Sequence, residues 1–167
     1  MNSIEDARDI ELLRRCVALA AEALHAGDDP FGSLLADAEG RILFEDRNRV
    51  ATGNDATLHP EFEIARWAAR NLSPAERATA VVYTSGEHCP MCSAAHAWAG
   101  LGRIAYVASS AMLAEWLEAW GQPGAPVNSL PIAQIAPQIE VSGPAWELVE
   151  QVKALHAAAR AVQLGGQ

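Results

Sequence analysis

His59-Pro60-Glu61, followed downstream by Cys89-Pro90-Met91-Cys92, decides how the rest of this chain is read. Cys89 and Cys92 stand three apart at a predicted helix start, so they project from one face and one ion can bridge them. The free N–H groups and positive dipole end of a helix favour thiolates there, and a bound metal favours them further. Pro60 sits where proline costs least, in the first turn of a helix, so His59 introduces a second helix. One imidazole and two thiolates are a zinc donor set, but they number only three. A structural zinc normally takes four protein ligands, whereas a catalytic zinc takes three and keeps a position open for water. His59, Cys89 and Cys92 are therefore the candidate metal ligands, with Zn2+ the expected cofactor. Glu61 is too near His59 in sequence for an ideal shared helical face, yet near enough to stand beside the metal without binding it. That is the place of a group that moves protons.

Around this motif, strands and helices alternate. Residues 4–26 carry apolar side chains at helical spacing (Ile10, Leu13, Val17, Ala20, Leu24) and stop at Gly27. Residues 31–36 and 41–45 are short apolar runs parted by Asp37-Ala38-Glu39-Gly40, which predicts a hairpin. Residues 61–71 and 90–100 are the two motif-bearing helices, and residues 80–84 and 103–108 read as buried strands. Residues 111–120 read as a helix, residues 121–136 as an irregular Gly- and Pro-rich connection, residues 131–141 as an edge strand at most, and residues 145–162 as a closing helix. The pattern is that of an α/β domain with a mixed sheet.

Composition narrows the partners. A chain of 167 residues, half of them hydrophobic, suits one domain spanning residues 1–167, with a core that needs no disulfides. No apolar run approaches the roughly 20 residues that cross a bilayer, and the acidic residues 1–10 do not resemble a basic leader. Three cysteines with no secretory signal suit reduced thiols, which predicts a cytoplasmic protein away from membranes. A net charge of −9 argues against a nucleic-acid partner, because that affinity rests on Lys and Arg neutralising phosphates. A small, weakly charged molecule is the expected substrate.

The motif also carries a family resemblance. His59-x-Glu61 with Cys89-x-x-Cys92 resembles the zinc-dependent nucleobase and nucleoside deaminases, whose pattern is H-x-E…P-C-x-x-C. Pro30-Phe31-Gly32, the run from Asn48 to Asp55, and Tyr83-Thr84-Ser85-Gly86-Glu87 are similar in order and spacing to the guanine deaminase and tRNA adenosine deaminase branch, over residues 5–110. The resemblance implies a three-layer cytidine-deaminase-like fold, with a central mixed sheet of about five strands flanked by helices. It implies hydrolytic removal of ammonia from a free nucleobase, guanine-like, or from a related aminated heterocycle, with Glu61 as proton shuttle. By the same resemblance Asn48 hydrogen-bonds the ring, Phe31 packs against it, and the chain forms a homodimer. Other readings are a tRNA-specific adenosine deaminase, a cytosine- or triazine-type deaminase, and a non-catalytic zinc-stabilised binding module.

Two residues depart from that family's usual pattern: Pro60 replaces Ala or Val, and His88 replaces Pro. The carboxy-terminal third lacks the acidic-aromatic tail of guanine deaminases and offers Trp116, Trp120 and a Pro-rich connection, with the Trp116/Trp120 helix expected to be exposed. Each assignment has a plainer counterpart. A closed structural zinc would need a fourth ligand from Cys16, His25, His88, His96 or His156, of which His96, four after Cys92, is best placed. Glu61 can be a solvated carboxylate at a helix start, Asn48 a turn residue, and Phe31 ordinary core. Cys16 reads as a buried helical thiol, Trp98 as packing behind the zinc helix, and Glu11, Arg14 and Arg15 as a solvated face.

Overall fold

A computed structural model describes residues 4 and 6–165, with side chains through residue 161. Helix α1 (Ala7–Ala26) starts where the Asp6 carboxylate accepts the Arg8 N–H at 2.8 Å and stops at Gly27, whose φ of 96° suits glycine. Strands β1 (Gly32–Ala36) and β2 (Ile42–Arg47) form the expected hairpin across residues 37–41. Then come α2 (Pro60–Asn71), α3 (Pro74–Thr79), β3 (Val81–Gly86), α4 (Pro90–Ala99), β4 (Ile104–Ala108), α5 (Ser110–Ala119), α6 (Ile132–Ile135), β5 (Val141–Ser142) and α7 (Trp146–Gly165). The mixed five-stranded sheet runs in the order β2-β1-β3-β4-β5. β1 is antiparallel to β2 and β3, while β3, β4 and β5 run parallel. Parallel neighbours need a crossover, and α4 supplies the one between β3 and β4.

Alternation along the strands sends successive side chains to opposite faces. Leu34, Tyr83, Ala105 and Val107 meet Leu13, Cys16 and Val17 of α1 and Leu148 and Val152 of α7. Leu35 and Val82 meet Ile64, Ala65 and Ala68 of α2 on the other face. The result is the three-layer α/β arrangement expected. At Gly32 the layers touch: an added Cβ would lie 2.4 Å from the Leu19 Cβ and 2.5 Å from the Cys16 carbonyl oxygen.

Several local readings are corrected. Trp98 does not pack behind the zinc helix but is 91 % exposed, because Cys92, Ser93 and His96 turn the other face of α4 inward. Helix α5 lies at the surface with no buried residue, as expected, but Trp116 and Trp120 themselves are half-buried, and Trp116 packs against the core shared by α1 and α7. Helices α3 and α6 were not anticipated, although α3 opens on a full capping box between Ser73 and Glu76.

Candidate active site

The three donor atoms are brought together by two helix starts. His59 and Cys89 are the residues just ahead of α2 and α4, both in extended backbone, and Pro60 and Pro90 follow them at the first helical position. Cys92 is one turn further along α4 and fully buried. His59 Nδ1 lies 3.7 Å from Cys89 Sγ and 3.7 Å from Cys92 Sγ, and all three donor atoms are within 4.8 Å of one another. Tetrahedral zinc with Zn–N near 2.1 Å and Zn–S near 2.3 Å needs an N···S separation of about 3.6 Å. The geometry therefore fits zinc.

Charge points the same way. A hydrogen bond from Cys92, followed by the His59 contact, holds the Cys89 thiol down at about 4. That same sulfur contact, together with burial and the Glu61 carboxylate, pushes the Cys92 thiol up. The hydrogen bond to Cys89 raises His59. One sulfur shares its proton with the other while an imidazole leans on both, and a divalent cation satisfies all three donors at once.

Among the described residues no fourth Cys, His, Asp or Glu joins this cluster. The His96 Nε2 is 2.8 Å from the Gly102 carbonyl oxygen, Cys16 is buried on the core-facing side of α1, and His25 is exposed. His88 is buried edge-on to His96 at 5.4 Å. His156 is buried and lines the cavity described below.

Glu61, in the first turn of α2, is 5 % exposed. It is therefore not a solvated carboxylate. Its Oε1 accepts from Ser33 Oγ at 2.8 Å and from Thr84 Oγ1 at 2.9 Å, and its Oε2 lies 3.8 Å from Cys92 Sγ. Burial pushes the carboxyl upward. Ser33 and Thr84 are opposed residues of β1 and β3, which sets their hydroxyls 2.8 Å apart beneath the carboxylate. Sequence reasoning missed this pair, since only the strand register joins them.

Asn48 follows β2 and is 3 % exposed. Its N–H donates to the Phe31 carbonyl at 2.9 Å, and its side-chain Oδ1 accepts the Val50 N–H at 3.0 Å, which leaves the amide NH2 as a donor. Phe31 is half-buried, with its ring edge-on to His156 at 4.9 Å. Phe31, Asn48, His59, Glu61, Trp116 and His156 all line one cavity of about 360 Å³. The remaining wall includes Pro123–Val127 of the irregular connection. The structure thus unites His59, Cys89, Cys92, Glu61, Asn48 and Phe31, and adds Ser33, Thr84 and His156.

Residues 6–108 match the cytidine and deoxycytidylate deaminase zinc-binding region. The chain belongs to this family. A Bacillus subtilis guanine deaminase is 38 % identical over 62 % of this chain and 66 % of its own length. A probable cytosine deaminase of Schizosaccharomyces pombe is 32 % identical over 82 % of this chain and 84 % of its own. The solved guanine deaminase of Nitrosomonas europaea superposes with a TM-score of 0.67 over 96 % of this chain and 87 % of its own, at 19 % identity, a likeness of fold. His59, Cys89 and Cys92 form the potential zinc site of this zinc-dependent deaminase.

Proposed function

We propose that this deaminase acts on a free, guanine-like nucleobase or a related aminated heterocycle, replacing its exocyclic amino group by oxygen and releasing ammonia. One observation carries the reading: Glu61 is buried beside the zinc donor set, on the wall of a cavity sized for a small ring. Zinc, when bound, supplies a Lewis acid that lowers the pKa of water from about 15.7 toward about 7. Glu61 takes one proton from the attacking water and passes it to the ring nitrogen as the C–O bond forms. It then passes a second proton, from the added hydroxyl, to the amino group as the C–N bond breaks and ammonia leaves, so a single carboxyl serves both transfers. Ser33 and Thr84 pin Oε1, and Oε2 is left to carry the proton. The Asn48 amide donates to the ring, and Phe31 packs on it and excludes water.

The guanine deaminase and cytosine deaminase relatives both support a free base. The tRNA reading is disfavoured by the net charge of −9. In the same proposal residues 1–167 act as one domain in the cytoplasm, as a homodimer that sedimentation would detect. No described helix is long and apolar enough to cross a membrane. Ammonia release from guanine, cytosine, adenosine, an aminotriazine and tRNA, by the zinc-loaded native chain and by Glu61→Gln, is the test. Guanine turnover that falls by two to four orders of magnitude in Glu61→Gln is expected. Absence of turnover across the panel would refute the substrate class, and activity retained in Glu61→Gln would refute the shuttle.

A further inference from the structure

Val152, His156 and Arg160 recur every fourth residue along α7, and all three line the same cavity as His59 and Cys89. His156 is 1 % exposed, and its Nδ1 is buried with no hydrogen-bond partner among the described residues. A buried ring nitrogen without a partner is costly, and native proteins keep few of them away from sites where a ligand completes the bond. The ring is firmly held, edge-on to Phe31 at 4.9 Å and tilted against Trp116 at 6.4 Å. Burial, with the Arg160 charge nearby, pushes His156 down to about 4. At neutral pH it is an uncharged ring with one donor and one acceptor nitrogen. Arg160 pairs with Asp29 at 3.5 Å, so this end of the cavity presents a balanced rather than an anion-seeking charge.

We propose that His156 is a specificity-determining residue, whose imidazole hydrogen-bonds a neutral polar edge of the bound heterocycle away from the departing amino group. This rests on the deaminase reading above and deepens it: the site selects neutral rings with a hydrogen-bonding group on that edge, and it discriminates against rings that are apolar or anionic there. A site built to hydrogen-bond a substrate rejects analogues that lack the matching group, because its own buried polar atom is then left unpaired. In the sequence His156 stands out only as a candidate fourth zinc ligand, because it is one His among alanines on a helix far from the motif.

The test uses equilibrium dialysis of labelled guanine against the zinc-loaded full chain carrying Glu61→Gln, alone and combined with His156→Phe or His156→Gln. His156→Phe keeps an aromatic ring against Phe31 but removes both nitrogens, and a three- to tenfold weaker affinity is expected. His156→Gln, which can still donate and accept, is expected to recover most of the loss. Thermal midpoints of all variants separate a binding effect from a folding defect. Guanine bound equally well by the His156→Phe variant overturns the proposal alone, as does a loss that His156→Gln fails to recover. Guanine that neither binds Glu61→Gln nor is turned over by the native chain overturns the guanine-like reading and the proposal with it.

Discussion

Replacing Asp28 with asparagine tests whether one buried carboxylate holds the loop that presents Asn48. Asp28 is 3 % exposed and accepts four hydrogen bonds. The Ala51 and Thr52 N–H groups donate to Oδ1, each at 2.9 Å, while the Thr52 hydroxyl at 2.7 Å and Arg47 Nη1 at 2.9 Å donate to Oδ2. The same Arg47 nitrogen donates to the Asn48 carbonyl at 2.9 Å, so the carboxylate reaches the candidate site through one side chain. Asparagine keeps one acceptor oxygen and turns an NH2 toward groups that are themselves donors. Two donors then lose their acceptor, at roughly 1–3 kcal/mol each if water stays out. Residues 51–57 are exposed and Arg47 is half-buried, so water recovers part of this, and a loss of about 2–3 kcal/mol is expected. For a chain of this length that is a fall in thermal midpoint of roughly 4–12 °C.

Urea unfolding measures the loss, and amide exchange should quicken first at Ala51 and Thr52. KM should rise more than kcat falls, because Glu61 and the metal donors sit on other elements. Burial raises the Asp28 carboxyl, but the bonds from Thr52, Arg47 and Ala51 outweigh it and hold it below the usual range. A depressed folded-state pKa means that the stabilisation is complete above the unfolded value of about 3.9 and fades as pH falls through the folded one. The gap between native and Asp28→Asn should therefore close below about pH 4. A stability change under about 0.5 kcal/mol, with exchange at Ala51 and Thr52 unaltered, would refute the clamp.

Three other outcomes follow from the same contacts. Gly32→Ala places a Cβ 2.4 Å from Leu19 Cβ and 2.5 Å from a Cys16 carbonyl that cannot swing away, so α1 must shift off β1. A loss of about 1–3 kcal/mol by urea unfolding is expected, and a neutral result would contradict the close packing. Tyr83→Phe removes the hydroxyl that donates to Asp9 at 2.6 Å beside the two Arg103 bonds. It should cost about 1 kcal/mol, and no change in the denaturation midpoint would show that the hydroxyl is dispensable. Stripping metal with a chelator should lower the thermal midpoint and added zinc should restore it, with about 4 kcal/mol of stabilisation at a thousandfold excess over Kd. Cys92→Ala should abolish that response, and a zinc-dependent midpoint persisting in Cys92→Ala would place the metal elsewhere.

The division between what could and could not be read from the sequence has a physical origin. His59, Glu61, Cys89 and Cys92 were legible because their geometry is local: proline at a helix start and a three-residue spacing fix donor directions within one turn. The strands from Gly32 and Val81 were legible as apolar runs, yet the Ser33 and Thr84 hydroxyls that seat Glu61 were not, because they are 51 residues apart and meet only through strand register. Trp98 was misread for a related reason. A large apolar side chain suggests burial, but its distance from Cys92 and His96 around α4 sends it outward, and once the ligands orient the helix that geometry overrides hydrophobicity.

In the proposed function, reaction chemistry and ring selection lie on different parts of the fold. The helix starts of α2 and α4 carry the metal donors and Glu61, and their form follows from short-range backbone rules. Trp116 of α5, Pro123–Val127 and His156 of α7 form another part of the cavity wall, and α7 is held there by packing beside α1. Substitutions on that wall can alter which ring is accepted while the helix starts and the two hydroxyls under Glu61 stay fixed. A single metal-and-carboxylate arrangement is thus compatible with relatives named as a guanine deaminase and a probable cytosine deaminase.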